Sequence, residues 1–121
     1  MSTANCLDTK RFQEAQVETT VELTRFTVAP EQVSAMLAAR PAMVADFESD
    51  RTGFLGARLI RLPNDEWLDV VEWRSAEDFA ASRAKGPNLP GIAAFFATLG
   101  GLVSDETGTL AHAGESARRG L

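Results

Sequence analysis

The chain has 121 residues, of which 45% are hydrophobic and 24% are charged, a length and balance that predict one globular domain with a sizeable core. Its net charge of -5 is the wrong sign for wrapping a polyphosphate, which argues against a nucleic-acid partner. A single cysteine, Cys6, and a single histidine, His112, exclude an intrachain disulfide and a metal site built from several cysteine or histidine ligands.

The two ends of the chain differ in composition from its middle. Residues 1–16 and 114–121 are polar and aperiodic, and we expect them to be flexible tails around a single domain at 17–113. No window has the apolar core of a signal peptide or the roughly 20 apolar residues of a membrane span. The sequence therefore predicts a cytoplasmic protein with no membrane contact.

The first strand is predicted from the run VETTVELTRFTV at 17–28, in which the side chains alternate with period 2. One face of this strand carries Glu22, Thr24 and Phe26. The opposite face carries Val21, Leu23 and Arg25. Both faces of a sheet can be buried, so the alternation alone does not say which face meets the helices.

A helix of about 18 residues is predicted next, beginning at Pro30, because apolar residues recur at spacings of three and four up to Phe47. Pro41 lies inside this helix and removes one backbone hydrogen bond, so we expect a kinked helix in preference to two separate ones. Arg40 interrupts the apolar stripe. Its head group either extends to solvent, which we favour, or points into a polar cavity.

The second half of the chain predicts a hairpin, two further helical segments and a last strand. GFLGARLIRL and WLDVVEWRS have the composition of strands two and three, with a tight turn at PNDE between them. Ser75 is the predicted cap of a helix at about 76–85, and apolar positions from Leu89 to Leu99 indicate another helix. A short fourth strand is predicted near 102–111.

This order of elements predicts an α+β fold, the ferredoxin-like split βαβ sandwich with a four-stranded antiparallel sheet. Helices on one face of such a sheet leave the other face uncovered. A second copy of the same sheet is the simplest cover, so the pattern predicts a homodimer.

Three segments, ELTRFTV, GFLGARLIRL and WLDVVEWRSAEDF, resemble the antibiotic biosynthesis monooxygenase superfamily of dimeric α+β barrels. The similarity includes the Gly-Phe opening of strand two and the Trp-x-Ser ending of strand three at Trp73, and it covers about residues 18–111. The resemblance implies a homodimer with a ligand cavity in each subunit, between its own sheet and its helices. Members of that superfamily oxygenate polycyclic aromatic polyketides without metal or flavin, degrade haem, or have no known activity.

The same resemblance bears on cofactors. Haem-degrading members use an Asn on strand one, the Trp of the Trp-x-Ser motif and a His on the second helix. Trp73 matches the Trp, whereas Thr24 stands near the Asn position and Arg83 near the His position. The chain also has no Tyr, so a Tyr-dependent polyketide mechanism does not carry over. The comparison implies no haem, flavin or metal cofactor.

Alternation in strand three places Trp67, Asp69 and Trp73 on one face. A carboxylate half-buried beside two indoles would have a raised pKa and could act as a base. The alternative, which we favour, is that Asp69 pairs with an arginine such as Arg58 and does no chemistry. Each Trp ring either lines the cavity or fills the core.

Two functions from different classes follow. The first is a metal-free and flavin-free monooxygenase acting on a small electron-rich aromatic molecule, with Asp69 as the base and Trp73 as a stacking wall. Arg58 or Arg83 would stabilise the developing anion. The predicted substrate-binding residues are Trp67, Thr24, Phe26, Met36, Phe79 and Phe96. The second is a homodimer that binds a small apolar or aromatic ligand, or is purely structural, in which Arg83 only forms an ion pair on its helix surface.

Overall fold

A computed structural model describes residues 18–115 of the chain. Four strands, each eight residues long, form one antiparallel sheet with the order β2-β3-β1-β4. They are β1 (Thr20–Thr27), β2 (Phe54–Arg61), β3 (Glu66–Trp73) and β4 (Leu102–Thr109). The expected tail at 1–16 and residues 116–121 of the expected C-terminal tail lie outside the described residues. The predicted α+β class and its four-stranded antiparallel sheet are confirmed.

The β2–β3 hairpin forms where the sequence predicts it. Asn64 and Asp65 both adopt a positive φ, 66° and 60°, the left-handed region that Asn and Asp tolerate better than other side chains. Leu62 donates its backbone N–H to the carbonyl of Glu66 at 2.8 Å and closes the turn. This turn sets the register that places Leu59 opposite Asp69.

Three helices connect the strands: α1 (Val33–Asp50), α2 (Ala76–Lys85) and α3 (Pro90–Ala97). A 3-10 turn at Pro30–Gln32 leads into α1, so the predicted start at Pro30 is the start of this turn. The helix runs through Pro41 as one element, and the expectation of a single helix is confirmed. The Ser75 hydroxyl accepts a hydrogen bond from the Asp78 N–H at 3.1 Å and caps α2, as predicted.

The helices cover one face of the sheet. On β3 the buried positions are Trp67, Asp69, Val71 and Trp73, which alternate with half-buried ones. The apolar core therefore lies between this face, which we call the inner face, and the helices. Its buried members are Phe26, Val28, Met36, Met43, Phe47, Trp67, Ile92 and Phe95.

The opposite face of the sheet, the outer face, is not covered by any helix of residues 18–115. Ile60 on β2 is 42% exposed there, and its neighbours on β3 and β1 are half-buried apolar residues: Leu68, Val70, Val21 and Leu23. Within residues 18–115, no helix is both long and apolar enough to cross a membrane.

Candidate functional site

A cavity of about 280 Å³ lies between the inner face of the sheet and the helices. Most of its wall is apolar. The apolar lining residues are Phe26, Met43, Phe47, Val71, Phe95, Phe96 and Leu99. The lining residues with polar side chains are Glu22, Thr24, Arg51, Asp69, Ser82, Arg83 and Asp105, and Gly86 adds backbone. An apolar cavity with a few converging polar groups is the usual form of a small-molecule site.

Glu22 on β1 is the carboxylate most suited to chemistry in this cavity. Its side chain is 18% exposed, and its Oε1 accepts a hydrogen bond from Trp73 Nε1 at 3.0 Å. Burial raises the pKa of Glu22, and the charge of Asp69 adds to this rise, while hydrogen bonds from Trp73 and Arg83 partly oppose it. Glu22 is therefore a stronger base than an exposed glutamate.

Arg83 on α2 joins this carboxylate to the edge strand. Its Nε donates to Glu22 Oε2 at 3.1 Å, and its Nη2 donates to Asp105 Oδ1 on β4 at 2.8 Å. The hydrogen bond to Asp105 is the main cause that raises the pKa of Arg83. The ion pair of Arg83 thus spans two strands at the cavity wall and is not the helix-surface pair considered from the sequence. The i,i+4 pair on this segment is instead Arg74 with Asp78, at 3.2 Å.

Asp69 faces the helices, as the alternation of β3 predicts, but its partner differs from the one expected. Arg40 donates from Nη1 to Oδ2 at 2.6 Å and from Nη2 to Oδ1 at 2.7 Å. The expectation that Arg40 extends to solvent is wrong: its side chain is 12% exposed and lies 5.2 Å from the centre of the Phe95 ring. A bidentate pair of this kind occupies both carboxylate oxygens.

Arg58, the expected partner of Asp69, lies on the outer face. It is opposite Val70 in the register of β2 and β3 and is exposed. Because neighbouring residues of a strand point to opposite faces, Arg58 cannot reach a cavity on the inner face. The proposed pairing of Asp69 with Arg58 is therefore wrong, and the placement does not support Arg58 as an anion stabiliser.

The other predicted substrate-binding residues divide into two groups. Thr24, Phe26 and Phe96 line the cavity. Trp67, Met36 and Phe79 do not line it, and neither does Trp73, which was predicted as a catalytic residue. Trp67 and Met36 belong to the buried core, and Trp73 is 1% exposed with Phe47, Phe54 and Phe79 packed around its ring. Trp73 contacts two lining residues, Glu22 through its indole N–H and Phe47 through its ring.

Three charged lining residues are not among the sequence candidates: Glu22, Arg51 and Asp105. A signal for Glu22 was available, because the alternation of strand one places it with Thr24 and Phe26. Arg51 follows α1 directly, in a segment with no periodicity, so the sequence contains no comparable signal for it. Within residues 18–115, no three His, Cys, Asp or Glu side chains are arranged to hold a metal ion.

Comparisons with known proteins agree on one family. The family model described as antibiotic biosynthesis monooxygenase matches residues 19–88, more than half of the chain. A search of the curated proteins finds no match.

Solved structures share the fold at low sequence identity. SnoaB from Streptomyces nogalater, a cofactor-independent oxygenase, is 23% identical with a TM-score of 0.51, over 83% of this chain and 97% of that chain. Rv0793 from Mycobacterium tuberculosis is 20% identical with a TM-score of 0.53, over 82% and 99%. A Chloroflexus aurantiacus protein assigned to the same family is 17% identical with a TM-score of 0.60, over 80% and 97%. These likenesses show the fold.

Proposed function

We propose that this protein, which belongs to the antibiotic biosynthesis monooxygenase family, is a cofactor-independent monooxygenase of a small electron-rich aromatic molecule of the polyketide type. The observation that carries the proposal is the largely buried carboxylate of Glu22 on the wall of an apolar cavity. The cofactor-independent oxygenase SnoaB shares the fold and supports this choice within the family.

The proposed chemistry requires the protein to supply a base and a dry cavity. A substrate such as an anthrone loses a proton from its ring CH2 group, and the resulting carbanion passes one electron to O2. The two radicals combine into a peroxide anion at that carbon, and the protonated base returns its proton to give the hydroperoxide. The hydroperoxide then loses water and leaves a ketone. One oxygen atom enters the product, the other leaves as water, and all four electrons come from the substrate.

Glu22 is the proposed base. Its raised pKa increases its proton affinity, and general-base catalysis contributes roughly 10²- to 10⁴-fold to a rate. Asp69, the base proposed from the sequence, is neutralised by its bidentate pair with Arg40, so in this proposal it holds α1 to β3. Glu22, by contrast, shares Arg83 with a second carboxylate, Asp105. Trp73 positions Glu22 through its indole N–H.

The apolar wall fits the proposed ligand class. Phe26, Phe95 and Phe96 line the cavity, and flat rings of this kind favour stacking or edge contacts with a planar aromatic molecule. The volume of about 280 Å³ is close to the lower end of small-molecule pockets, roughly 300–1,000 Å³. A compact ligand of few rings is therefore proposed.

A homodimer that pairs two outer faces is part of the proposal. The outer face exposes Ile60 beside half-buried Leu68 and Val70, and no helix of the described residues covers it. A face of this composition is the kind that a second identical sheet covers in a symmetric contact.

Oxygen uptake tests the function. With a panel of anthrones under ¹⁸O2, we expect consumption of one O2 per substrate and one labelled atom in the ketone product. The rate must exceed the spontaneous oxidation measured with the Glu22→Gln protein. Glu48→Gln, an exposed position on α1, is the matched control and should retain full activity. A different outcome is that the anthrones stabilise the wild-type protein against melting and yet it consumes oxygen no faster than the spontaneous oxidation. In that case the alternative, a non-catalytic homodimer that binds a small molecule, replaces this proposal.

A further inference from the structure

Arg51 places a buried guanidinium in the wall of the cavity. Its side chain is 2% exposed and lies against the Phe47 ring, 5.2 Å from the ring centre. Nε donates to Ser82 Oγ at 2.8 Å, and Nη2 donates to the Gly86 carbonyl at 2.6 Å. Nη1 donates to two side-chain oxygens at 2.7 Å each, one of Asp50 and one of Asn88.

These contacts hold Arg51 rigidly but do not use all of its hydrogen-bond donors. A guanidinium has five N–H groups. Within the residues that the structure describes, four N–H groups of Arg51 have acceptors. The remaining N–H is on Nη2. A charged donor fixed in advance by its neighbours stabilises an anion without the cost of reorganisation.

The charge of Arg51 is not fully compensated. Its acidic partner Asp50 also accepts a hydrogen bond from Lys85 Nζ at 3.0 Å. The hydrogen bonds from Lys85 and Asn88 lower the pKa of Asp50 to about 2, so this carboxylate is ionised at neutral pH. Two cations therefore share one carboxylate, and the cluster of Arg51, Asp50 and Lys85, here called the Arg51 cluster, has one net positive charge.

A second cluster of charged residues in the cavity wall has the opposite net charge. In it, Arg83 is shared between two carboxylates, Glu22 and Asp105, which leaves one net negative charge. Asp69 and Arg40 neutralise each other. The cavity is thus dipolar, with the base in its negative part and Arg51 in its positive part.

We propose that Arg51 binds the substrate oxygen on which negative charge accumulates when Glu22 removes a proton. The inference rests on the proposed function and adds a catalytic residue to it. In an anthrone the acidic carbon and the carbonyl oxygen are at different positions of one conjugated ring system, so deprotonation at Glu22 moves charge to an oxygen at Arg51. Arg51 touches the substrate in this arrangement and is a catalytic residue.

The experiment uses a dye whose own ionisation reports on the field of the Arg51 cluster. Alizarin, a dihydroxyanthraquinone, changes its absorption spectrum when a phenol group ionises. We would measure the pKa of the bound dye by absorbance, at saturating protein, in the wild type and in variants. A dye that ionises far from the Arg51 cluster would not show pKa shifts of opposite sign when this cluster loses a positive or a negative charge.

Arg51→Gln removes several buried hydrogen bonds and is liable to unfold the protein, so two milder variants carry the test. Lys85→Gln and Asp50→Asn change the cluster by one charge in opposite directions, and neither residue lines the cavity. At a separation of roughly 10 Å and with partial screening, we expect shifts of about half a pKa unit. Lys85→Gln should raise the pKa of the bound dye, and Asp50→Asn should lower it.

Arg61→Gln and Asp65→Asn are the matched controls. They make the same two charge changes at the β2–β3 hairpin, the opposite end of β2 from Arg51, and should leave the pKa of the dye unchanged. If the dye binds and its pKa is the same in Lys85→Gln, Asp50→Asn and the controls, the role of Arg51 is overturned while the proposed function stands. If the dye and the anthrones all fail to bind, both are overturned. If the pKa shifts as expected but no oxygen is consumed, Arg51 is an anion site in a protein that is not an oxygenase.

Discussion

Both carboxylate oxygens of Asp69 on β3 accept hydrogen bonds from the guanidinium of Arg40 on α1, at 2.6 and 2.7 Å. This pair is 12% exposed on each side, and it links the sheet to the longest helix beside the cavity. Neutralising one partner of a buried ion pair lowers the free energy of unfolding, because the other charge then remains buried and uncompensated.

Asp69→Asn should therefore lower stability more than activity. We expect a loss of about 3 kcal/mol in the free energy of unfolding, which is a fall of several degrees in melting temperature. Turnover per folded molecule should survive. Thermal melting and oxygen uptake would be measured on the same preparation, with Asp65→Asn in the hairpin turn as the control. An unchanged melting temperature together with a 100-fold loss of turnover would instead identify Asp69 as the base.

Glu22→Gln should lower activity more than stability. The amide keeps the size of the side chain and an oxygen that can accept from Trp73 Nε1, but it cannot take a proton from the substrate. We expect kcat to fall about 100-fold or more, with KM changed little and the fold retained by circular dichroism. Glu48→Gln on the exposed side of α1 should behave as wild type. Full activity in Glu22→Gln would remove Glu22 from the mechanism.

The pH dependence of kcat/KM should report the ionisation of Glu22. Burial raises the pKa of this carboxyl from its usual 4.5, so its base form is lost at a higher pH than in an exposed glutamate. Activity should accordingly fall as the pH drops through that raised pKa. Trp73→Phe removes a hydrogen bond that favours the ionised form, and the acid limb of the profile should move to still higher pH. If the acid limb moves to lower pH in Trp73→Phe, or does not move, the ionisation that it reports is not that of Glu22.

Much of the fold and part of the site are predictable from local patterns. Period 2 on β3 identifies the face that carries Trp67, Asp69 and Trp73, because alternation depends only on the strand geometry. The Ser75 cap and the turn at Asn64 and Asp65 follow from local backbone chemistry. These features need no knowledge of distant contacts.

The partners of charged residues are not predictable in this way. Arg40 is 29 positions from Asp69 in the chain, and only the packing of α1 on the sheet brings them together. Arg83 reaches Glu22 across 61 positions, while the sequence suggested a partner on its own helix. A long side chain can reach several acceptors, so its choice depends on tertiary structure that periodicity does not contain.

Gly91→Ala should destabilise the contact between α1 and α3. A Cβ atom at Gly91 would lie 2.6 Å from the backbone carbonyl oxygen of Ala42, so the two helices would have to separate. We expect a cost of about 2 kcal/mol, and weaker ligand binding because α3 contributes Phe95 and Phe96 to the cavity. Gly108→Ala is the control, since nothing lies within 4 Å of a Cβ placed there. Equal melting temperatures for the two variants would show that the helices accommodate the methyl group.

The outer face of the sheet is where the proposed homodimer can be tested. If two outer faces pair in a homodimer, the symmetric contact should bury on the order of 2,000 Å² in total, and Ile60 would be removed from solvent in both copies. Ile60→Glu would then replace two apolar contacts in the interface with two carboxylates that lose water on association, since each change occurs twice in a symmetric dimer. Light scattering at micromolar concentration should give twice the 13.0 kDa chain mass for the wild type and a mass near that of one chain for Ile60→Glu.

Leu37→Glu provides the matched control. Leu37 is 46% exposed, close to the 42% of Ile60, but it lies on α1, on the helical side of the sheet. Because the proposed contact is between outer faces, Leu37→Glu should remain dimeric. A monomeric wild type at micromolar concentration would contradict the dimer, and an Ile60→Glu variant as dimeric as Leu37→Glu would place the contact on another surface of the protein.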